Sequence, residues 1–210
     1  MVTKQKIINI FTLFRLDNPE PKTELEYSSD FTLLVSIVLS AQATDVSVNK
    51  ATKPLFEKYN TPKQLLELGE AGLKQYIKTI GLYNSKARNI MILCDQLITK
   101  FDGSIPDDLD RLQSLAGVGR KTANVFLNCA YGHLTMGVDT HVFRVANRIG
   151  ITKAKNPLLS EQQLLKKIPD EFKLYAHHWL ILHGRYVCKA RKPLCSECKI
   201  YDLCGFKDKS

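Results

Sequence analysis

The chain is predicted to be all-α, and three observations carry that expectation. Apolar residues recur with the 3.6-residue period of a helix in nearly every segment. Alternating runs that would mark strands are scarce, and helix stops and starts punctuate the chain at short intervals. The first segment, 3–16, carries Ile7, Ile10, Phe11 and Phe14 at helical spacing. Ser28 to Asp30 supply caps for a helix over 29–42. Helices over 45–59, 61–69 and 70–80 follow, the second opened by Thr61-Pro62 and the third closed before Gly81. The period resumes over 84–101, stops at Asp102-Gly103, and returns briefly over 107–115 after Ile105-Pro106. Gly117-Val118-Gly119 then separates this short helix from one over 120–132. Helices over 139–150, 160–168 and 170–184 complete the pattern, divided by Gly132, Gly150, Asn156-Pro157 and Ile168-Pro169, with a last turn near 195–203. There is no repeat and no flexible linker, so any two lobes are joined by helix-to-helix turns.

With 210 residues, 44% of them hydrophobic, the chain can bury a substantial core. Lys and Arg number 30 against 21 Asp and Glu, a formal charge of +9. That surplus points to a polyanionic partner, nucleic acid before a membrane surface. The N-terminal stretch has no apolar signal-peptide region, and the longest apolar run, Phe31 to Ala43, is interrupted by polar residues and too short to span a bilayer. The expected location is the cytoplasm.

Cys188, Cys195, Cys198 and Cys204 stand in the order C-x6-C-x2-C-x5-C near the C-terminus. Cys94 and Cys129 each lie alone in an apolar helical context and read as core. Such usage does not fit a disulfide-dense secreted domain, so a metal centre is favoured. Zinc more usually takes two C-x2-C pairs or a Cys/His mixture; four unevenly spaced thiolates suit a [4Fe–4S] cube at least as well, and both metals remain open on chemistry alone.

The Gly117-Val118-Gly119 turn lies between two helical patterns and is followed by Arg120 and Lys121. Two glycines let backbone N–H groups approach an anion, and the next helix aims its positive dipole end the same way. The turn reads either as a tight αα-connection or as a clamp on a DNA backbone, and the basic residues favour the clamp, which would read phosphate and not sequence. Lys121 is badly placed for the helix dipole, which favours anions there. A cation so held, beside Arg120, is expected to have a lowered pKa and to act as a nucleophilic amine. Asp139 precedes the apolar pattern Val142, Val145, Ala146, Ile149 as a helix cap; a capped carboxylate could also stabilise a cationic sugar or assist proton transfer.

Taken together, Leu39-Ser40-Ala41-Gln42-Ala43-Thr44-Asp45, Gly81-Leu82-Tyr83-Asn84-Ser85-Lys86-Ala87, Leu115 to Asn124, Val138-Asp139-Thr140-His141, His177 to Arg185 and the cysteine run resemble, in order and over essentially the whole chain, the endonuclease III family of the helix-hairpin-helix DNA glycosylase superfamily. The resemblance implies two lobes with DNA in the cleft between them. One is a six-helix barrel at about 22–132 that contains the hairpin at about 107–132; the other is a cluster lobe built from 1–21 and 133–210. It further implies a bifunctional repair enzyme that releases oxidised pyrimidines and then nicks the strand by β-elimination. On that match Lys121 forms an imine at the sugar C1′, Asp139 is the catalytic carboxylate, and Cys188, Cys195, Cys198 and Cys204 bind one [4Fe–4S] cluster.

The expected partner is double-stranded DNA with a damaged base or abasic site, met by a monomer associated with the nucleoid. A base must leave the stack before C1′ can be reached, and the resemblance assigns Gln42 and Leu82 to the vacated space. Gly117, Val118, Gly119 and Arg120 are the expected phosphate contacts of the hairpin. Lys189, Arg191 and Lys192 would be held against DNA by the cysteine loop, and Ser40, Asp45 and His141 are candidates for the lesion pocket. One departure is Ala116, where the family commonly has proline. Losing the ring leaves the hairpin less preorganised. Two rival readings are a monofunctional adenine glycosylase, which lacks the nucleophilic lysine present here, and a non-catalytic DNA-binding module whose cluster is only structural.

Overall fold

The computed structural model describes residues 1–209, and among them ten α-helices and two short 3₁₀ turns occur without a β-strand. In chain order the helices are α1 (Lys4–Asp17), α2 (Asp30–Ser40), α3 (Asp45–Phe56), α4 (Pro62–Ile77), α5 (Tyr83–Phe101), α6 (Leu109–Gln113), α7 (Arg120–Tyr131), α8 (Thr140–Ile149), α9 (Pro157–Lys167) and α10 (Asp170–Tyr186). The 3₁₀ turns are Cys195–Glu197 and Tyr201–Leu203. The all-α prediction is therefore correct. Side-chain oxygens of Thr3, Ser29, Thr44, Thr61, Asp108, Asp139 and Asn156 cap seven of the helices by accepting backbone N–H groups of the first turn.

Some boundaries move for local reasons. The helix expected over 29–42 stops at Ser40, because Gln42 turns into the left-handed region at φ +54°. The two helices expected over 61–69 and 70–80 join as α4, broken at Gly69, where φ is +74° and ψ is 166°. The helix expected to begin at 160 starts at Pro157, since Asn156 caps it and proline suits a first helical position.

The chain divides into two compact units, Glu24–Tyr131 and a second made of Met1–Thr23 with the residues from Gly132 on. In the first, every residue of α2 from Phe31 to Leu39 is buried. A helix apolar on all sides must be enclosed, and α3, α5 and α7 pack around it, with α4 on α3 and α5 and α6 on α7. In the second, α8 packs on α10, and Phe11, Phe172 and Trp179 form an aromatic core in which Phe11 stacks on Phe172 and Trp179 meets Phe172 edge-on. The Trp179 indole donates to the Asn18 carbonyl at 2.8 Å, which ties the end of α1 to α10. Gly184 permits the close α8–α10 approach: a Cβ there would meet His141 Cβ and Val145 Cγ2, each at 3.0 Å. No described helix is long and apolar enough to cross a membrane.

Candidate active site and metal centre

The hairpin is shaped by a few backbone commitments. Gly117 has φ +79°, and an added Cβ would lie 3.1 Å from Asn89 Cβ, so the turn demands glycine on both counts. The Val118 N–H donates to the Leu115 carbonyl at 3.1 Å, and its side chain is only 5% exposed. Val118 thus closes the turn and anchors it in the core, and its N–H is already engaged. The Gly117 and Gly119 N–H groups have no partner within the described chain. Arg120 opens α7 exposed, and Lys121 follows half-buried. Lys121 also acts on its own helix: burial pushes the Cys129 thiol up to about 11 against the opposing pull of the Lys121 cation.

Ala116 reveals a residue that sequence reasoning passed over. Its N–H donates to Gln96 Oε1 at 2.8 Å, while Gln96 Nε2 donates to the Ser114 carbonyl at 3.2 Å. A proline has no N–H to offer, so the half of this clamp that engages residue 116 requires a residue other than proline there. The side chain of Gln96 replaces the stiffness of a ring with hydrogen bonds.

Asp139 caps α8, its Oδ1 accepting the Val142 N–H at 2.8 Å. Oδ2 has no hydrogen-bond partner within the described chain, so the carboxylate is immobilised with one oxygen available. Two positions on, the His141 ring places Nδ1 3.3 Å from Arg144 Nη2. Arg144 in turn donates to the Gly184 carbonyl at 2.8 Å and to the Cys188 carbonyl from Nε and Nη2 at 3.2 and 3.1 Å. One guanidinium therefore ties the turn that carries Asp139 to the first cysteine. Sequence reading missed Arg144, which lies with His141 and Arg148 on the polar face of α8 and so carries no local signal that sets it apart.

All six cysteines are free thiols. Cys188, Cys195, Cys198 and Cys204 line a single cavity whose other walls include Ile149, Pro193, Leu194 and Phe206. Cys195 opens the first 3₁₀ turn and Cys198 ends it, and Cys204 ends the second. Burial raises the Cys198 and Cys204 thiols, and the neighbouring cysteines add to the rise, which iron binding would reverse by taking the thiolates. Four thiols spread around one apolar pocket fit a polynuclear cluster, whose irons sit at separate corners. His183 Nε2 stands 3.7 Å from Cys198 Sγ, and burial holds that imidazole down to about 4.

Arg148 organises the loop between Cys188 and Cys195. It donates to the carbonyls of Lys189 and Ala190 at 2.6 and 2.9 Å, approaches Cys188 Sγ at 3.6 Å, and covers the Phe206 ring at 4.9 Å. The loop turns its carbonyls inward to this guanidinium, while Lys189, Arg191 and Lys192 stay exposed. Lys192 takes φ +51°, and Leu194 N–H donates to the Val187 carbonyl at 3.0 Å to close the loop.

Gln42 and Leu82 come together in the fold although they are far apart in sequence. Both are exposed, Leu82 at 59%, and both hold positive φ, +54° and +60°. A Cβ at Gly81 would lie 3.6 Å from the Gln42 carbonyl, so the two loops meet backbone to backbone. Ser40 donates its hydroxyl to the Ile37 carbonyl at 2.8 Å, and Asp45 begins α3 half-buried.

The chain is similar to known DNA repair proteins over nearly its whole length. Residues 35–170 match the HhH-GPD superfamily base excision DNA repair proteins, and residues 188–204 match the iron-sulfur binding domain of endonuclease III. Endonuclease III of Rickettsia conorii is 60% identical over 96% of both chains, and that of Escherichia coli is 56% identical over 99% of both. Among solved structures, a trapped endonuclease III–DNA covalent intermediate superposes with a TM-score of 0.92 at 46% identity, covering 98% of this chain and 97% of the other. A non-covalent endonuclease III–DNA complex matches equally well, at a TM-score of 0.92.

Proposed function

The chain belongs to the HhH-GPD superfamily of base-excision DNA repair proteins and to its endonuclease III family, and from that premise we propose that Lys121 and Asp139 carry the chemistry of a bifunctional DNA glycosylase and abasic-site lyase. The observation that carries the residue assignment is a carboxylate pinned by its own helix with one oxygen left over.

The substrate is duplex DNA bearing an oxidised pyrimidine or an abasic site. The Lys121 amine attacks C1′ as the damaged base departs, and the Asp139 carboxylate stabilises the positive charge that develops on the sugar. Opening of the C1′–O4′ bond turns the lysine adduct into a protonated imine, which acidifies the C2′ proton. Removal of that proton expels the 3′ phosphate, and water then hydrolyses the imine, freeing Lys121 and leaving a 3′ unsaturated aldehyde and a 5′ phosphate on the other fragment. The Gly117 and Gly119 N–H groups with Arg120 hold the DNA backbone, Val118 serving as the anchor beneath them. Gln42 and Leu82 occupy the space left by the extruded nucleotide, and Ser40, Asp45 and His141 contribute to the lesion pocket.

The protein carries a [4Fe–4S] cluster, and Cys188, Cys195, Cys198 and Cys204 are its ligands in this reading. When bound, the cluster supplies four iron–thiolate bonds that close the two 3₁₀ turns. Arg148 and the closed loop then present Lys189, Arg191 and Lys192 to phosphate. In the same reading the enzyme acts at the nucleoid. Borohydride should trap a covalent complex between the protein and abasic or thymine-glycol DNA, and Lys121→Gln should abolish it. Failure of the wild-type protein to give any adduct would overturn the lyase assignment.

A further inference from the structure

Among the described residues Lys86 is the one buried cation, 5% exposed, and the chemistry above makes no use of it. It sits in the first turns of α5, five residues past Gly81. Its Nζ donates to the Leu39 carbonyl at 2.9 Å and to the Ala41 carbonyl at 2.6 Å. These oxygens lie in the last turn of α2 and at Ala41, the residue that caps it, where carbonyls lack helical partners and the dipole is negative. No carboxylate pairs with Lys86 within the described chain; burial lowers its pKa, and the two carbonyls hold the ammonium in place.

The same residue is bonded to the other loop through its main chain. Lys86 N–H donates to the Leu82 carbonyl at 3.0 Å, and Ser85 Oγ donates to that oxygen at 2.9 Å. Lys86 thus grips the backbone one residue before Gln42 with its side chain and the backbone of Leu82 with its amide. Gln42 and Leu82 both have left-handed conformations, which are sterically unfavourable for a non-glycine residue. Such conformations persist only where the surroundings over-determine them.

We propose that Lys86 is a positioning residue for base extrusion, fixing Gln42 and Leu82 as one preformed wedge that enters the duplex as a unit. This rests on the assignment of Gln42 and Leu82 to the vacated space. A buried lysine that served stability alone would affect every substrate equally. A lysine that positions the wedge affects duplex DNA, where a nucleotide must be flipped, more than single-stranded DNA, where none is stacked against a partner.

The test is a double-mutant cycle under single-turnover conditions, with Lys86→Met, Leu82→Ala and the pair. The substrates are a thymine-glycol duplex and a single-stranded abasic oligonucleotide, and a fluorescent base analogue beside the lesion reports extrusion. We expect Lys86→Met to lose about tenfold in extrusion rate on the duplex, the equivalent of ~1.4 kcal/mol, and no more than about twofold in the single-turnover cleavage rate of the single strand. The pair should lose no more than its more damaging member. Equal losses on both substrates, or additive losses in the pair, would overturn the inference. An unaffected Leu82→Ala would instead sink the wedge assignment on which it rests. If Lys86→Met does not fold, Lys86→Gln, which keeps a donor on a shorter arm, takes its place with the same two deciding outcomes.

Discussion

At the scale of single residues, several side chains that hold the candidate site meet backbone atoms distant in sequence. Asp139 does not, since its capping bond is local and its candidacy could be read from an aspartate placed before an apolar helical pattern. The bond also separates its two roles. Asp139→Asn keeps an oxygen for the Val142 N–H but removes the charge, so base release should fall by about 10²-fold or more with the melting temperature nearly unchanged. Asp139→Ala should lose the cap as well, at about 1 kcal/mol of stability. Measuring turnover and thermal unfolding for both variants separates charge from cap. Gln96 is the opposite case. Nothing near it in sequence announces its clamp on Ala116 and Ser114. Gln96→Ala should leave the Ala116 N–H unsatisfied and weaken binding to duplex DNA by about 1 kcal/mol or more. Adding Ala116→Pro to that variant should recover most of the loss, because proline removes the orphaned donor and stiffens the turn; binding titrations of the single and double variants check this.

Between elements, the informative contacts are those that carry one helix's order to the next. Arg144 and Arg148 lie one turn apart on α8 and reach the same segment after α10, the first holding the Cys188 carbonyl and the second the Lys189 and Ala190 carbonyls. The basic loop is therefore shaped from within by two further arginines. With its carbonyls turned inward, Arg191 and Lys192 are left to solvent and to phosphate. Replacing both by alanine should weaken duplex binding and flatten its salt dependence by up to about two in the log–log slope, near one for each phosphate that is no longer neutralised. An unchanged slope across salt titrations would place these cations away from the backbone. The helices themselves were legible because caps and apolar period are local properties. The early stop of α2 was not, since Gln42 adopts its left-handed turn against the Gly81 backbone of another loop.

For the whole molecule, buried titratable groups set a pH limit. Burial holds His178 down to about 4 from an ordinary value of 6.5. A histidine lowered in the folded state binds fewer protons there than in the unfolded chain between those values. Its contribution is therefore neutral above about pH 6.5, and stability is lost as pH falls from there toward about 4. Thermal unfolding across this window should show a decline that His178→Leu makes shallower. A slope identical to wild type would remove His178 as a cause.

The sequence alone determined the all-α class, the family, and the presence of a thiolate cluster, because helix period, capping chemistry and cysteine spacing are written within a few residues. It could also nominate Lys121 and Asp139, since each stands at the start of a helix where its charge matters. What only the tertiary structure decided is which side chains hold the working parts in place. Lys86 spans to Leu39 and Ala41, Gln96 to Ala116, and Arg144 and Arg148 to the loop after α10. Each of these donates to backbone oxygens or accepts a backbone N–H. Every residue except proline offers such an N–H, and all offer such an oxygen. A partner of that kind leaves no mark in composition or spacing, and only folding determines which backbone group a long side chain will meet.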